Sequence, residues 1–310
     1  CRTCFIWNYY AKNPDEEKRE FRAEEFARVF GSLQHSPFWF TISGGEPFLR
    51  RDLTEICEAA AHNCEPSIIS VPSNGLLPEI IKEKTERILK RIGKTTLIVN
   101  LSLDALGEEH DEIRGVKSNF KRLMETYRGL CEVRKNFSHL QLGFHSVVSK
   151  FNVNRLMTLY DYVKALEPDS YITEIAEERT ELFNVGKGIA PNPQEYESFV
   201  KELSKRIRSD YLRSGRKVSR LAQAFRLRYY QIASRWLWER RQQISCYAGY
   251  ASCHITAFGD VWPCCILGYD KPMGNLRESN YDFRNVWFSA EADRVRHFVR
   301  GGNCSCPLAN

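Results

Sequence analysis

From residue 21 to residue 180, short runs rich in Val, Ile, Leu and Phe alternate with longer amphipathic stretches. This alternation limits the possible folds more than any other feature of the chain. Five runs read as strands: Phe38 to Ile42, Ser67 to Val71, Thr95 to Leu103, Leu140 to Val148 and Ser170 to Ile175. Between them the apolar residues recur at helical spacing over Arg50 to His62, Pro78 to Arg91, Asn119 to Lys135 and Val153 to Leu166. A helix between each strand and the next carries the chain back to the starting edge, so neighbouring strands pair in parallel. The fold class is therefore α/β. Gly186, Gly188, Pro191 and Pro193 interrupt the pattern and mark a boundary loop. Residues 195–243 read mainly as helix, and the stretch after them as short strands and turns. Three segments are expected: a parallel-sheet unit over 1–184, a basic helical connector over 185–245 and a Cys-rich unit over 246–310.

The 310 residues suffice for a large buried core. No apolar run approaches the ~20 residues that span a bilayer, and nothing at the start has the form of a signal peptide. A cytoplasmic protein without a membrane partner is expected. The net charge of +6 is unevenly placed, since residues 201–245 hold thirteen Lys or Arg against three acids. Such a block suits an acidic peptide, a phosphate or nucleic acid. A solvated helix face explains it better, and nucleic acid is disfavoured as a partner. Tyr229, Tyr230, Trp236 and Trp238 sit among these charges at helical spacing and fit a packed face.

Eleven cysteines are grouped rather than spread. Cys1 and Cys4 open the chain; Cys246, Cys253, Cys264, Cys265, Cys304 and Cys306 lie near its other end. A chain this long needs no disulfide staples, and close pairs such as Cys304 and Cys306 suggest metal binding. Cys57, Cys64 and Cys131 lie in helical segments and are read as small buried hydrophobes.

In parallel α/β folds, chemistry gathers at the carboxyl ends of the strands. There the first strand runs into Ser43-Gly44-Gly45-Glu46-Pro47, where two glycines let a ligand approach the backbone. A plain turn is the simpler reading of Gly-Gly alone. The second strand ends at Ser73-Asn74-Gly75. On the third, Val99, Leu101 and Leu103 share one face, and Asn100, Ser102 and Asp104 share the other. Polar residues on a strand buried on both sides need partners: either an internal network or a ligand with hydroxyls. Arg114 could reach a carboxylate. Gln141, Gly143 and His145 share a face of the fourth strand, and His145 fits a hydrogen-bonded core histidine better than a catalyst.

Taken together, these residues resemble the radical S-adenosylmethionine (radical SAM) enzymes. Cys1-Arg2-Thr3-Cys4 is similar to the last two cysteines of that family's CxxxCxxC motif. Gly44-Gly45-Glu46-Pro47 resembles its GGEP motif, and Ser102 and Asp104 match its ribose-contacting strand positions. The resemblance implies a partial (βα)6 barrel whose first strand would precede Cys1, with another motif cysteine four residues before it. It also implies a 4Fe-4S cluster on three cysteines, Cys1 and Cys4 among them, with the open iron chelating S-adenosylmethionine. Such clusters reductively cleave the sulfonium to a 5′-deoxyadenosyl radical that takes hydrogen from a substrate; thiolates are the soft donors iron requires. By the same resemblance, Gly44, Gly45, Glu46 and Pro47 would hold the methionine amino group. Ser102 and Asp104 would bind the ribose with Asn74 nearby, and Arg114 would meet the carboxylate.

The C-terminal segment is similar to SPASM and twitch domains, in Cys246, Gly249, the run Phe258 to Cys264, and Gly274-Asn275-Leu276. This implies a second, auxiliary 4Fe-4S cluster held by Cys246, Cys264, Cys304 and Cys306. Cys265 could replace Cys264, and Cys253 is spare. A four-cysteine zinc site is the competing reading, but Cys246 and Cys264 stand eighteen residues apart, without the close first pair of a zinc ribbon. The expected function is radical chemistry on a peptide or protein side chain. A small-molecule substrate such as a sugar or alcohol, or a non-catalytic metal-binding module, are the alternatives. An electron donor such as flavodoxin or ferredoxin is an expected partner. No residue is singled out as catalytic.

Overall fold

The computed structural model describes residues 1–213 and 217–307; for residues 210–213 and 217–223 it describes the helix and not the side chains. Helices α1 (Ile6–Lys12) and α2 (Ala23–Leu33) precede strand β1 (Trp39–Thr41). Then follow α3 (Leu53–Cys64), β2 (Ile68–Ser73), α4 (Pro78–Leu89), β3 (Thr96–Ser102), α5 (Gly107–Arg114) and α6 (Asn119–Asn136). Next come β4 (Leu140–Val148), α7 (Leu156–Ala165), β5 (Ser170–Ile175), α8 (Pro193–Arg213) and α9 (Lys217–Glu239). The C-terminal unit holds β6 (His254–Ile255), β7 (Asp260–Trp262), β8 (Gly274–Asn275), α10 (Phe283–Trp287) and α11 (Ala290–Arg300).

Strands β1 to β5 form one sheet in chain order, every pair parallel. Crossovers of one hand in an unbroken strand order put their helices on a single face, as in a barrel. That face is the core: Val71, Val99, Leu101, Leu142 and Phe144 are buried there. Among the described residues the opposite, concave face has no helical layer. Thr41 and Gln141 are exposed on it, and Asn100, Ser102, His145 and Glu174 are half-buried. The expected α/β half-barrel is thus observed, with five strands.

The sequence pattern places β4 and β5 at their observed ends, while the other elements shift by one to three residues. Phe38 and Ile42 fall outside β1, which is a short edge strand paired with β2 alone among the described residues. Helices α1, α2 and α5 are additions to the expected pattern, and α7 is preceded by a tight turn over Val153–Arg155 rather than continuing from it. Helix α5 hides from periodicity because its polar sequence, Gly107 to Arg114, buries only His110 and Ile113. Its position is set by tertiary contacts.

The C-terminal unit is built mainly from turns around a three-stranded antiparallel sheet, but it also contains α10 and α11. Asp282 and Ser289 cap these helices, each accepting from a backbone amide in the first turn. The main core is continuous across all three expected segments, since Leu203, Tyr230, Val261, Leu276 and Val295 belong to the same cluster as the sheet residues. Glu25 of α2 clamps the unit: it pairs with Arg277 at 3.1 Å and accepts from Tyr281 Oη at 2.7 Å. Within the basic stretch 201–245, Arg206 pairs with Asp161 and Glu202, and Arg226 donates to the Tyr171 carbonyl. These charges tie the α8–α9 hairpin to the barrel; residues 214–216 and the side chains of 210–223 lie outside the described part.

Candidate active site and auxiliary cysteine site

The N-terminal cysteines are brought to the carboxyl ends of the strands by backbone pairing. The Arg2 amide donates to the Ile113 carbonyl at 2.8 Å, and the Phe5 amide to the Leu182 carbonyl at 2.8 Å. Asn184, fully buried, completes the anchor. Its amide donates to the Thr3 and Glu177 carbonyls, and its oxygen accepts from the Arg179 amide. Cys1 Sγ lies 3.3 Å from Thr3 Oγ1. A Cβ on Gly115, the residue after Arg114, would lie 3.8 Å from the Cys1 backbone nitrogen, so the Cys1 loop and the Arg114 turn share one rim.

Opposite them, the Gly44-Gly45 turn is exposed. Gly44 has φ 152°, a conformation rarely adopted by other residues, and a Cβ there would meet nothing within 4 Å. The turn therefore offers bare backbone groups beside open space. Glu46 acts differently from the expectation that it holds an ammonium group. Its carboxylate accepts from Ser73 Oγ at 2.9 Å, from the Asn74 amide at 2.7 Å and from the Phe48 amide at 3.3 Å. Burial pushes its pKa up against these hydrogen bonds. Glu46 thus joins the end of β1 to the end of β2 and fixes the glycine turn, with Pro47 buried beneath it. Asn74 keeps its side-chain oxygen for the Leu76 amide.

Ser102 is half-buried on the concave face, as expected, but Asp104 is 2% exposed and already engaged. Its Oδ1 accepts from the Val147 amide at 2.8 Å, and its Oδ2 lies 2.8 Å from Arg114 Nε, an ion pair whose N–H is not aimed at the oxygen. The ribose role expected for Asp104 does not match this placement. The carboxylate instead holds Arg114 at the rim. His110, fully buried, supports the same turn: its Nδ1 accepts from the Asp104 amide and its Nε2 faces Asn119 Oδ1. Burial lowers its pKa to about 4, so the ring is the neutral tautomer with hydrogen on Nε2.

A second group lies across the crevice, at the ends of β4 and β5. His145 Nε2 is 3.4 Å from Glu174 Oε2, Arg179 Nε is 3.5 Å from Glu177 Oε2, and Arg179 also pairs with Glu181 at 3.1 Å. Burial pushes the Glu177 carboxyl up to about 7 despite Arg179. Burial also opposes ionisation of Glu174, but His145 and Arg179 hold it below the usual carboxylate range. Among the described residues, seven buried side-chain polar atoms lack a hydrogen-bond partner, and six of them belong to Asn100, Arg114, His145, Glu177, Arg179 and Tyr229. All six line the concave face or its rim. Buried polar groups are normally satisfied, so this concentration sets the concave face and its rim apart from the rest of the described residues. Glu174, Glu177, Arg179 and Asn184 were not anticipated. The acid-rich run after β5 was visible in the sequence, but nothing in it shows that the chain folds back over the strand ends.

The auxiliary cysteines converge as well. Cys246, Cys264 and Cys304 pack on one small cluster formed by Ala248, Leu267 and Val299. Cys306 lines a cavity with Cys246 and Cys304. The Ala248 amide donates to Cys246 Sγ at 3.4 Å, and the Ile266 and Leu267 amides donate to Cys264. Four thiols, three of them packed on one apolar cluster and two accepting from backbone N–H groups, fit an iron–sulfur cluster. Among the described residues no three His, Cys, Asp or Glu side chains are close enough to hold a single metal ion. Cys265 is outside the apolar cluster on which Cys246, Cys264 and Cys304 pack. Burial pushes its thiol up to about 12, and its strongest charged neighbour is Arg179. Cys253 is more deeply buried and likewise pushed up to about 12.

Comparison with known families agrees with this geometry. The Radical SAM superfamily matches residues 1–152, and SPASM, an iron–sulfur cluster-binding domain, matches residues 246–307. The chain is a radical SAM enzyme with a SPASM domain. Its cofactors are accordingly S-adenosylmethionine, a 4Fe-4S cluster and the auxiliary iron–sulfur of the SPASM domain. The AdoMet-dependent heme synthase of Methanosarcina barkeri is 25% identical over 82% of this chain and 69% of its own length. The subtilosin biosynthesis protein AlbA of Bacillus subtilis is 23% identical over 78% of this chain and 47% of its own. The solved structure of native anSMEcpe with bound AdoMet shares the fold, with a TM-score of 0.60 and 18% identity over 88% of this chain and 73% of that one. Among the described residues no helix of this radical SAM enzyme is long and apolar enough to cross a membrane.

Proposed function

We propose that this radical SAM enzyme abstracts hydrogen from a peptide or protein side chain bound against the concave face of the sheet. The six buried polar atoms along that face and its rim that lack a well-aligned hydrogen bond carry the reading, because they give a polar substrate a prepared place beside the cofactor rim. The subtilosin protein AlbA is a peptide-biosynthesis relative, and anSMEcpe has also been solved with a bound peptide.

Each residue at the rim has a part in this. The exposed backbone of Gly44 and Gly45 meets the methionine end of S-adenosylmethionine, with Glu46 and Pro47 fixing the turn. Arg114, held by Asp104, faces the carboxylate; Ser102, with Asn74 nearby, faces the ribose. When bound, cluster and cofactor supply a 5′-deoxyadenosyl radical. Cys1 and Cys4 provide two of the thiolates. At the other end Cys246, Cys264, Cys304 and Cys306 close the auxiliary site with four protein thiolates, so that it shapes the crevice wall rather than binding substrate through an open iron.

The test is cofactor cleavage. Full-length protein, reconstituted anaerobically with iron and sulfide and then reduced, is expected to release 5′-deoxyadenosine from S-adenosylmethionine, measured by liquid chromatography and mass spectrometry. Cys4→Ala is expected to release none, and absence of the product from the unaltered protein overturns the reading. A small-molecule substrate is the second reading, favoured by the extent of the match to the heme synthase. A rise in 5′-deoxyadenosine with peptides but not with small molecules separates the two.

A further inference from the structure

The two sides of the crevice differ in charge. On the cofactor side, Arg114 and Asp104 neutralise each other. Across from them, Glu174, Glu177 and Glu181 face the single guanidinium of Arg179 and the imidazole of His145. Three carboxylates therefore stand against one permanent cation. Glu177 is the most constrained: its side chain is 6% exposed and its Oε2 has no hydrogen-bond partner, since Arg179 Nε at 3.5 Å is not aligned with it. Tyr229 Oη lacks a well-aligned hydrogen bond, and His145 Nε2 has only its 3.4 Å contact with Glu174 Oε2. Buried negative charge in excess is costly unless a cation or hydrogen-bond donors compensate it. The fold maintains this imbalance across three separate elements, β4, β5 and the loop after β5, so it does not come from the sequence of any one of them.

We propose that Glu174, Glu177 and His145 form a subsite for a cationic group of the substrate, the ammonium or guanidinium of a Lys or Arg side chain. The proposal rests on the peptide reading above and extends it to substrate specificity. The carboxylates of Glu174 and Glu177 receive the cation, Tyr229 Oη accepts a further hydrogen bond from it, His145 orients the Glu174 carboxylate, and Arg179 keeps the acidic groups spaced. These are positioning residues, which set the substrate relative to the cofactor rim and take no part in bond breaking.

The net charge of the whole chain makes the test discriminating. A protein of charge +6 with a basic α8–α9 hairpin attracts acidic peptides non-specifically, so preference for basic ones must come from a local site. Three fluorescein-labelled peptides, identical except for two central Lys, Gln or Glu residues, are titrated into the reconstituted protein with S-adenosylmethionine, and binding is read by anisotropy. The Lys peptide is expected to bind at least about tenfold more tightly than the Gln peptide, an advantage that Glu174→Gln with Glu177→Gln removes. Glu202→Gln, on α8 at a side chain 41% exposed, is expected to leave it intact. Thermal unfolding confirms that the double variant folds; if it does not, Glu174→Gln alone, at a side chain 42% exposed, must lower the preference. Equal binding of Lys and Gln peptides, tighter binding of the Glu peptide, or a preference that survives the variants overturns the proposal. A Lys preference in a protein that makes no 5′-deoxyadenosine would sink the catalytic reading and leave the subsite standing.

Discussion

The half-barrel and the C-terminal unit both present cysteines, but they are held together by different means. The barrel rests on five parallel strands and a large core in which Leu53, Ile69, Leu97, Leu101 and Phe144 are almost wholly buried. Its cysteines sit on the rim, and the sheet keeps its shape without them. Around the auxiliary thiols the local core is only Ala248, Leu267 and Val299, with Cys246, Cys264, Phe298 and Cys304 packed against it. So small a cluster contributes little burial, and metal–thiolate bonding is the natural substitute. The rest of the C-terminal unit, including Val261, Leu276, Phe283 and Val295, packs into the main core, so the contrast is confined to the segments that carry the thiols, where bound iron–sulfur is expected to supply stability that the small local cluster lacks.

The largest effect that could break this contrast comes from removing an auxiliary ligand. Cys246→Ala should lose the auxiliary iron and make residues 246–307 sensitive to protease, while the barrel fragment survives. Iron content and limited proteolysis followed by mass spectrometry check both halves of the statement. If the C-terminal segment stays resistant, its cysteines do not sustain its structure and the contrast fails.

A smaller effect is expected within the sheet. Gly143 lies opposite Asn100 in the β3–β4 register, and a Cβ there would overlap the Asn100 side-chain oxygen and Ser170 Oγ. Gly143→Ala should therefore destabilise the barrel by about 1–3 kcal/mol, read as a lower urea midpoint with the auxiliary iron retained. Unchanged stability would mean that the concave face is looser than its packing implies.

The smallest effect concerns the clamp between the two regions. Burial works against ionisation of Glu25, but Arg277, the Arg22 amide and Tyr281 pull its pKa down to about 2. A depressed carboxylate stabilises the fold above its unfolded value of about 4.5 and loses that contribution as pH falls toward 2. The stability difference between the protein and Glu25→Gln should thus be flat above pH ~5 and shrink at lower pH. Urea unfolding between pH 3 and pH 7 tests this, and a difference that does not vary with pH would remove Glu25 from the clamp.

Several features were determined by the sequence alone. Alternating strand and helix patterns set a parallel sheet because chain return leaves no other pairing, and the ends of β4 and β5 followed from short runs rich in β-branched, aromatic and leucine residues bounded by polar breaks. The grouped cysteines, Gly44-Gly45-Glu46-Pro47 and the C-terminal pattern pointed to the family because each motif is local, with its residues only a few positions apart. Only the tertiary structure decided which polar groups are satisfied. Glu46 turns inward to Ser73 and Asn74, Asp104 closes on Arg114 and the Val147 amide, and Cys264 and Cys265 part toward different neighbours. Asn184 joins the first loop to the segment after β5, and Glu174 and Glu177 gather with His145 and Tyr229 at the ends of the adjacent strands β4 and β5. These outcomes depend on hydrogen-bond partners dozens to well over a hundred positions apart. A hydrogen bond is decided by an ångström of separation and the direction of a donor, and local sequence carries neither.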